Sequence, residues 1–592
     1  MKEIGWLKRI TAAFLAVVLC TVQADAAVRT GGAGTAYAEK EHAEIPLDEM
    51  SRDLFHKEVF DSAVEELSGL ADTVGREDRV RELYRIILEE TDNLYTQYML
   101  LTLDYYRDVE DPETAGRYQE SGDLLMEAGN AAAETLRELL HSDGYGELLR
   151  EEMGAEFAEA FAEYESVTPE ESRLTEKEMD LVREYEEASL REYENSREEN
   201  RVLGEIYLEL VDVRTELARL QGYDNYADYA YESGYYRDYT VEDVEELRQE
   251  VKENLAPLFE ECVDYALDQD VSGLYEAMPE DPEAMLDNLE DAMEEISPRV
   301  GEAYGYFRRM HLYDIDADDK KMDMGYTVEL PAYGDAYIYN KGSGTYLDYF
   351  TMIHEFGHFT SVFYEKAPYL FTVVNMDVSE IHSQGLEVLF WPCYQEIVPD
   401  MGTAMQAYVV YEMLTNIISS CIYDEIEQTI YRDPHMSLEQ LNREVEEISS
   451  QYGGLMTLDS YRWVEVNHLF QQPFYVISYA TSALAALELL ELSAENRQAA
   501  LDRYMDISAS GTGTPYCEVL ENSGLRDIFE EGSVEQTADG VRKLLGLPEP
   551  DGGELPDGNT ENRLLERILE GLALWLEGAG DAGTAVRKEA SQ

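Results

Sequence analysis

The chain has 592 residues, 126 of them acidic and 45 basic, for a formal net charge of −81. No local basic patch interrupts that balance, which excludes nucleic acid and an anionic bilayer as general partners. Attraction of cationic peptides and plain solubility both account for such a surface.

Residues 1–26 read as an export signal. Lys2, Lys8 and Arg9 form the positive end, Ile10 to Val22 is an apolar run of about a dozen residues, and Ala24-Asp25-Ala26 is a small-x-small cleavage site. The run is short for a transmembrane helix, so the expectation is a secreted or envelope-associated protein. Residues 27–45 read as a flexible leader and 46–200 as a charged helical region. In that region Leu83, Ile87, Leu94, Tyr98, Leu101 and Tyr105 step by three, four and seven, one face of a long helix. Asp111 then caps a helix begun by Pro112. The run Glu184 to Asn200 reads as a solvated helix face.

Residues 201–545 hold the chemistry. Pro279 and Pro282 mark a connection. Gly325 to Tyr339, GYTVELPAYGDAYIY, is the clear β signal and ends in an Asn-Lys-Gly-Ser-Gly turn. It reads either as an ordinary hairpin or as an edge to which an extended peptide adds by backbone hydrogen bonds. Cys262, Cys393, Cys421 and Cys517 have no close spacing and read as core hydrophobes rather than a disulfide framework. Residues 546–592 comprise a Pro/Gly-rich linker and an amphipathic helix from Arg563 to Glu577, whose acidic polar face argues against an anionic membrane.

The run TMIHEFGHFT, Thr351 to Thr360, places His354, Glu355 and His358 in the order HExxH. On a helix the i to i+4 spacing sets both imidazoles on one face with about 6 Å between their Cβ atoms, close enough to share a metal. Glu355 then sits beside that metal, able to take a proton from water. A third ligand is needed, and Glu380, 22 residues beyond His358, is the best candidate. On a helix Glu380, Ser383, Gln384 and Glu387 share a face, and Glu387 can accept the second N–H of a ligand imidazole. His382 competes as a ligand, but its side chain points about 200° away from Glu380.

HEFGH followed by EIHSQGLE resembles the HExGH and ExxSxxxE pair of the thimet oligopeptidase and oligoendopeptidase F family of zinc peptidases. Arg214 to Tyr229, Ala336 to His358, His468 to Leu487 and Tyr504 to Leu525 are similar to the corresponding oligoendopeptidase segments, so the resemblance covers roughly residues 200 to 545. It implies a mainly α fold: a two-lobed helical bowl around a deep channel, with a small β-sheet next to the zinc helix. It also implies one Zn2+ per chain on His354, His358 and Glu380, oligopeptide substrates, and an oxyanion donor among Tyr475, Tyr479 and His468. Tyr475 and Tyr479, four apart, read as one helical face. The pattern departs from the family at Ile477, where another Tyr is common. The leading expectation is a zinc endopeptidase of short unstructured peptides. The alternatives are a carboxypeptidase or dipeptidase on the same scaffold, and a peptide-binding protein without turnover.

Overall fold

The computed structural model describes residues 42–548, except 72, 155–157, 159–160, 162–167, 190, 192, 319, 323, 365–369, 371–374 and 512. The export segment, most of the leader and the C-terminal amphipathic helix lie outside the described residues. Those described are mainly helical with one three-stranded sheet, as expected. No helix among them is long and apolar enough to cross a membrane.

Helix α1 (Glu77–Arg107) buries the whole face read from its spacing: Leu83, Ile87, Leu94, Tyr98, Leu101 and Tyr105 are all in the core. At about 1.5–3 kcal/mol for each fully buried large side chain, that face is what holds the helix in place. Helix α2 (Pro112–Leu140) starts where the sequence puts it, with Pro112 in its first turn and the Asp111 carboxylate accepting from the Glu113 N–H. The two helices join through stacked Tyr105 and Tyr118 rings and a 3.1 Å hydrogen bond between the Tyr98 and Tyr118 hydroxyls.

The run Glu184 to Asn200, read as a solvated helix face, divides between two helices. The chain leaves helix α3 (Pro169–Ser189) and restarts in α4 (Ser196–Leu220), where Asn195 caps by accepting from the Glu198 N–H. Asn195 favours the cap because its short amide competes with helical backbone for that N–H. Tyr185 is buried with its ring stacked on Phe470 at 3.7 Å, and the Asn200 amide donates to Asn442 and to the Tyr461 carbonyl. Two residues of this charged run therefore pack against the C-terminal half.

The β signal divides into two strands. β1 (Tyr313–Asp314) pairs parallel with β3 (Asp335–Asn340), and β2 (Gly325–Leu330) pairs antiparallel with β3 from Gly325↔Asn340 to Leu330↔Asp335. Pro331 to Gly334 makes the turn, with Gly334 at φ 62°, a left-handed conformation that a side chain would strain. In the order β1-β3-β2 the strand that contains Tyr339, β3, is central, and β1 and β2 are the two edges. Helix α1 backs the sheet: the Tyr337 and Tyr339 hydroxyls donate to the carbonyls of Met99 and Tyr106.

The Asn-Lys-Gly-Ser-Gly run after β3 is pinned to helix α5 (Leu347–Tyr364), because the Asp348 carboxylate accepts from Ser343 N–H, Ser343 Oγ and Gly344 N–H at 2.8 Å each. This fixes the entry of α5 onto the sheet. Helix α6 (Met376–Leu389) is capped by Asn375 and lies against α5 and α7 (Ile477–Ser510). The four described cysteines are free, three of them buried, as read from their spacing.

Helices α5 and α6 touch backbone to backbone at Gly357. A Cβ there would lie 2.6 Å from Ser383 Cα and would also collide with the His382 carbonyl oxygen. Neither neighbour is a flexible side-chain end, so the helices would have to separate. Gly357→Ala is expected to destabilise the fold by about 1–3 kcal/mol, the usual cost of overpacking, although alanine has the better helix propensity. Denaturant unfolding checks this; a midpoint equal to or above the parent's would show that the crossing has slack.

Candidate active site

The crossing of α5 and α6 brings His354, His358 and Glu380 together, with one ligand atom from each within 4.8 Å of the others. Both imidazoles turn Nε2 toward the same carboxylate oxygen, Glu380 Oε2, at 3.5 Å from His354 and 3.7 Å from His358. Their Nδ1 atoms face outward. His354 Nδ1 is 2.7 Å from Glu387 Oε1, and His358 Nδ1 is 3.4 Å from Ser379 Oγ. On α6, Ser383 Oγ donates to Glu380 Oε2 at 2.9 Å.

The donor set fits a small divalent ion. Two imidazole nitrogens and a carboxylate oxygen are donors that zinc takes, and the histidine–carboxylate spacings of 3.5 and 3.7 Å would let the three share one ion. When His354 Nδ1–H donates to Glu387, Nε2 carries the lone pair that ligation requires. The Glu387 contact was readable in the sequence from its place two turns after Glu380. His382, the competing ligand, is buried but does not join the converging atoms; its carbonyl accepts from the Tyr504 hydroxyl.

Charges in the cluster are strongly perturbed. Burial disfavours a cationic His354, yet the hydrogen bond and charge of Glu387, with Glu380 and Glu355 nearby, push its pKa up to about 10. His358 is driven the other way, to about 3, by burial and by repulsion from His354. Burial also raises Glu355, against the pull of His354 and of a hydrogen bond from Thr327. That bond comes from edge strand β2: Thr327 Oγ1 lies 2.7 Å from Glu355 Oε2 and 2.9 Å from the Glu355 carbonyl oxygen. Sequence reasoning missed Thr327. Nothing local marks it, since its role follows from packing β2 against α5.

From the other side come Tyr475, Tyr479 and His468. The Tyr475 hydroxyl donates to Glu380 Oε1 at 3.3 Å. His468 stacks on Tyr475 with centroids 5.2 Å apart, and Tyr479 meets Tyr475 edge-on at 5.3 Å. Burial and the Glu380 charge raise both phenols, so they remain protonated donors. Burial lowers His468. One expectation is corrected: the two tyrosines do not share a helical face. Tyr475 lies in the turn before α7 and Tyr479 in its first turn, because Pro473 and Phe474, the latter at φ 63°, bend the chain there.

Comparison with known proteins bears on the family and the fold. Residues 300–538 match Peptidase family M3. The oligopeptidase PepF of Bacillus subtilis (strain 168) is 24% identical over 243 residues, 38% of this chain and 36% of that protein, so the matched stretch spans little more than a third of its relative. Among solved structures, PZ peptidase A with an inhibitor superposes with a TM-score of 0.69 at 20% identity, covering 85% of this chain and 99% of that one. A candidate oligoendopeptidase F from Bacillus anthracis str. Ames gives 0.64 at 20% identity, over 88% and 99%. At that identity the likeness speaks for the fold, and it extends well beyond residues 300–538.

Proposed function

We propose, from the peptidase family M3 domain that residues 300–538 form, that this chain is a zinc metallopeptidase cutting internal bonds of short, unstructured oligopeptides. The observation that carries the reading is the convergence of His354, His358 and Glu380, with Glu355 beside them and the Tyr475 hydroxyl on Glu380. His354, His358 and Glu380 would hold the ion, and Glu387 would fix the His354 tautomer. A zinc there supplies Lewis acidity toward a peptide carbonyl and acidifies water near neutral pH.

The rest of the chemistry falls to the chain. Glu355, held by Thr327, takes the proton of the attacking water and hands it to the leaving amine. Burial raises its pKa above the ordinary carboxylate value, the direction that a base that must later act as an acid requires. A phenol from Tyr475 or Tyr479 donates to the oxygen that gains charge as the carbonyl is attacked, with His468 stacked behind Tyr475. Substrate backbone adds to β2, an edge strand, which makes selection depend more on main chain than on side chains.

The test is cleavage of internally quenched peptides by the full chain, together with its metal content. Activity is expected to vanish with a chelator and return with added zinc. Peptides in a length series should be cut internally, and a folded protein should resist unless unfolded. Products made only of C-terminal residues or dipeptides would move the assignment to an exopeptidase, and tight peptide binding without turnover would make the chain a peptide-binding protein.

A further inference from the structure

Next to the site lies a buried cation that the proposed chemistry does not use. Arg237 follows a single π-helical turn, Ala230–Gly234, and a left-handed Tyr236 at φ 52°. Those two departures from regular helix swing it inward. Its guanidinium carbon sits 4.4 Å from the centre of the Tyr231 ring and 4.6 Å from that of Tyr235, with Tyr239 at 5.7 Å.

The guanidinium reaches two elements of the site. Nη2 donates to the Phe474 carbonyl at 2.8 Å and to Ser478 Oγ at 3.1 Å, the residues on either side of the turn that carries Tyr475. Nε lies 3.5 Å from Asp377 Oδ2, one helical turn before Glu380 on α6. Asp377 is itself held by the Tyr239 hydroxyl at 2.9 Å and by Thr481 at 2.6 Å. The Tyr235 hydroxyl donates to the Pro473 carbonyl at 3.0 Å, and the left-handed Phe474 gives its N–H to the buried Glu427 carboxylate at 2.9 Å.

The geometry points to Arg237 as a positioning residue that sets the Tyr475 hydroxyl against Glu380 by tying the Phe474–Ser478 turn to the start of α6. A planar fork can bridge a carbonyl, a hydroxyl and a carboxylate at fixed angles; an ammonium cannot. Stability alone accounts poorly for the arrangement. Neither Nη1 nor Nε has a hydrogen-bond partner among the described residues, the Asp377 contact being a charge pair only, and a buried charged group left partly unmatched is costly. The contact it serves is 3.3 Å long, so a few tenths of an ångström in the turn decide whether it exists.

The inference rests on the peptidase reading only for its kinetic readout. In zinc-loaded full-length protein, Arg237→Gln is expected to lower kcat by about tenfold or more with KM within about twofold, the pattern of a contact that matters in the transition state. In a Tyr475→Phe background the same substitution should change kcat by less than about twofold, because residues acting through one another do not add. Hydrogen exchange gives a readout independent of activity: residues 472–480 should exchange faster in Arg237→Gln, with residues 351–360 protected as in the parent. If Arg237→Gln does not fold, Arg237→Lys, which keeps the charge and loses the fork, and Tyr235→Phe, which removes one hydroxyl from the same turn, carry the comparison. An equal kcat loss in the Tyr475→Phe background, or parent-like exchange of 472–480 in a folded variant, overturns the assignment. A parent without peptidase activity sinks the proposed function instead and leaves the exchange result to decide this one.

Discussion

Glu355→Gln is expected to keep its metal and lose turnover by between about a hundred- and ten-thousandfold, the usual worth of a positioned general acid or base. The substitution is nearly isosteric, and Glu355 is not among the three groups whose atoms converge, so metal content should match the parent. The Thr327 hydroxyl can still donate to the amide oxygen at the place where it now meets Oε2, which keeps the side chain where it is. What disappears is the ability to accept a proton and give it back. Both kcat and kcat/KM should fall together, since no ground-state contact is removed. Turnover near the parental level in metal-replete Glu355→Gln would assign the base elsewhere.

Glu380→Gln should act on the metal itself. The amide offers a neutral, weaker oxygen in place of the carboxylate toward which both imidazoles point. The loss of affinity should exceed that of Glu387→Gln, for which about ten- to hundredfold is expected from a partner that only orients a ligand. The order of loss is then Glu380→Gln, Glu387→Gln, Glu355→Gln, measured by competition with a chromophoric chelator and by elemental analysis after dialysis. One zinc per chain in a protein lacking His354, His358 and Glu380 together would refute the site. Glu387→Gln carries a second signature: it removes the strongest support for a cationic His354, so the imidazole should lose its proton at lower pH in the apoprotein.

The parts of the site that lie on single helices were legible in the sequence because their geometry is local. HExxH fixes two imidazoles by the helical repeat, and Glu380 to Glu387 is the same repeat taken over two turns; the contact to His354 is found at 2.7 Å. What the sequence did not convey is set by distant packing or by short breaks in a pattern. Thr327 meets Glu355 only because β2 lies along α5, a pairing no local period encodes. The alternation from Gly325 to Tyr339 left a hairpin and an open edge both readable, although a proline without an N–H and a glycine three residues on mark the turn of the hairpin that forms. The same happened at Tyr475 and Tyr479, where an i to i+4 spacing outweighed Pro473, and again at Asn195, a capping residue inside a run of charges. In each case a long-range average prevailed over a single residue with a definite stereochemical effect.

Some of the buried acidic groups are met by buried arginines. Arg214, Arg237 and Arg248 are all buried; Arg214 donates to Glu178 and to the carbonyls of Leu469 and Phe470, and Arg248 to Asp424 and Gln428. In a chain so poor in basic residues, these three sit where helices from the two halves of the sequence meet.

The glycine contact between α5 and α6 bears on which ion the site prefers. His354 and His358 ride on one helix and Glu380 on the other, so the distance between the two helix axes sets the bite of the ligand set. A bite near 3.5 Å suits a small ion that accepts nitrogen donors, and one a few tenths of an ångström wider moves the optimum toward larger, oxygen-seeking cations. The helix separation that spaces the ligand atoms is thus set at position 357, by a residue with no side chain of its own.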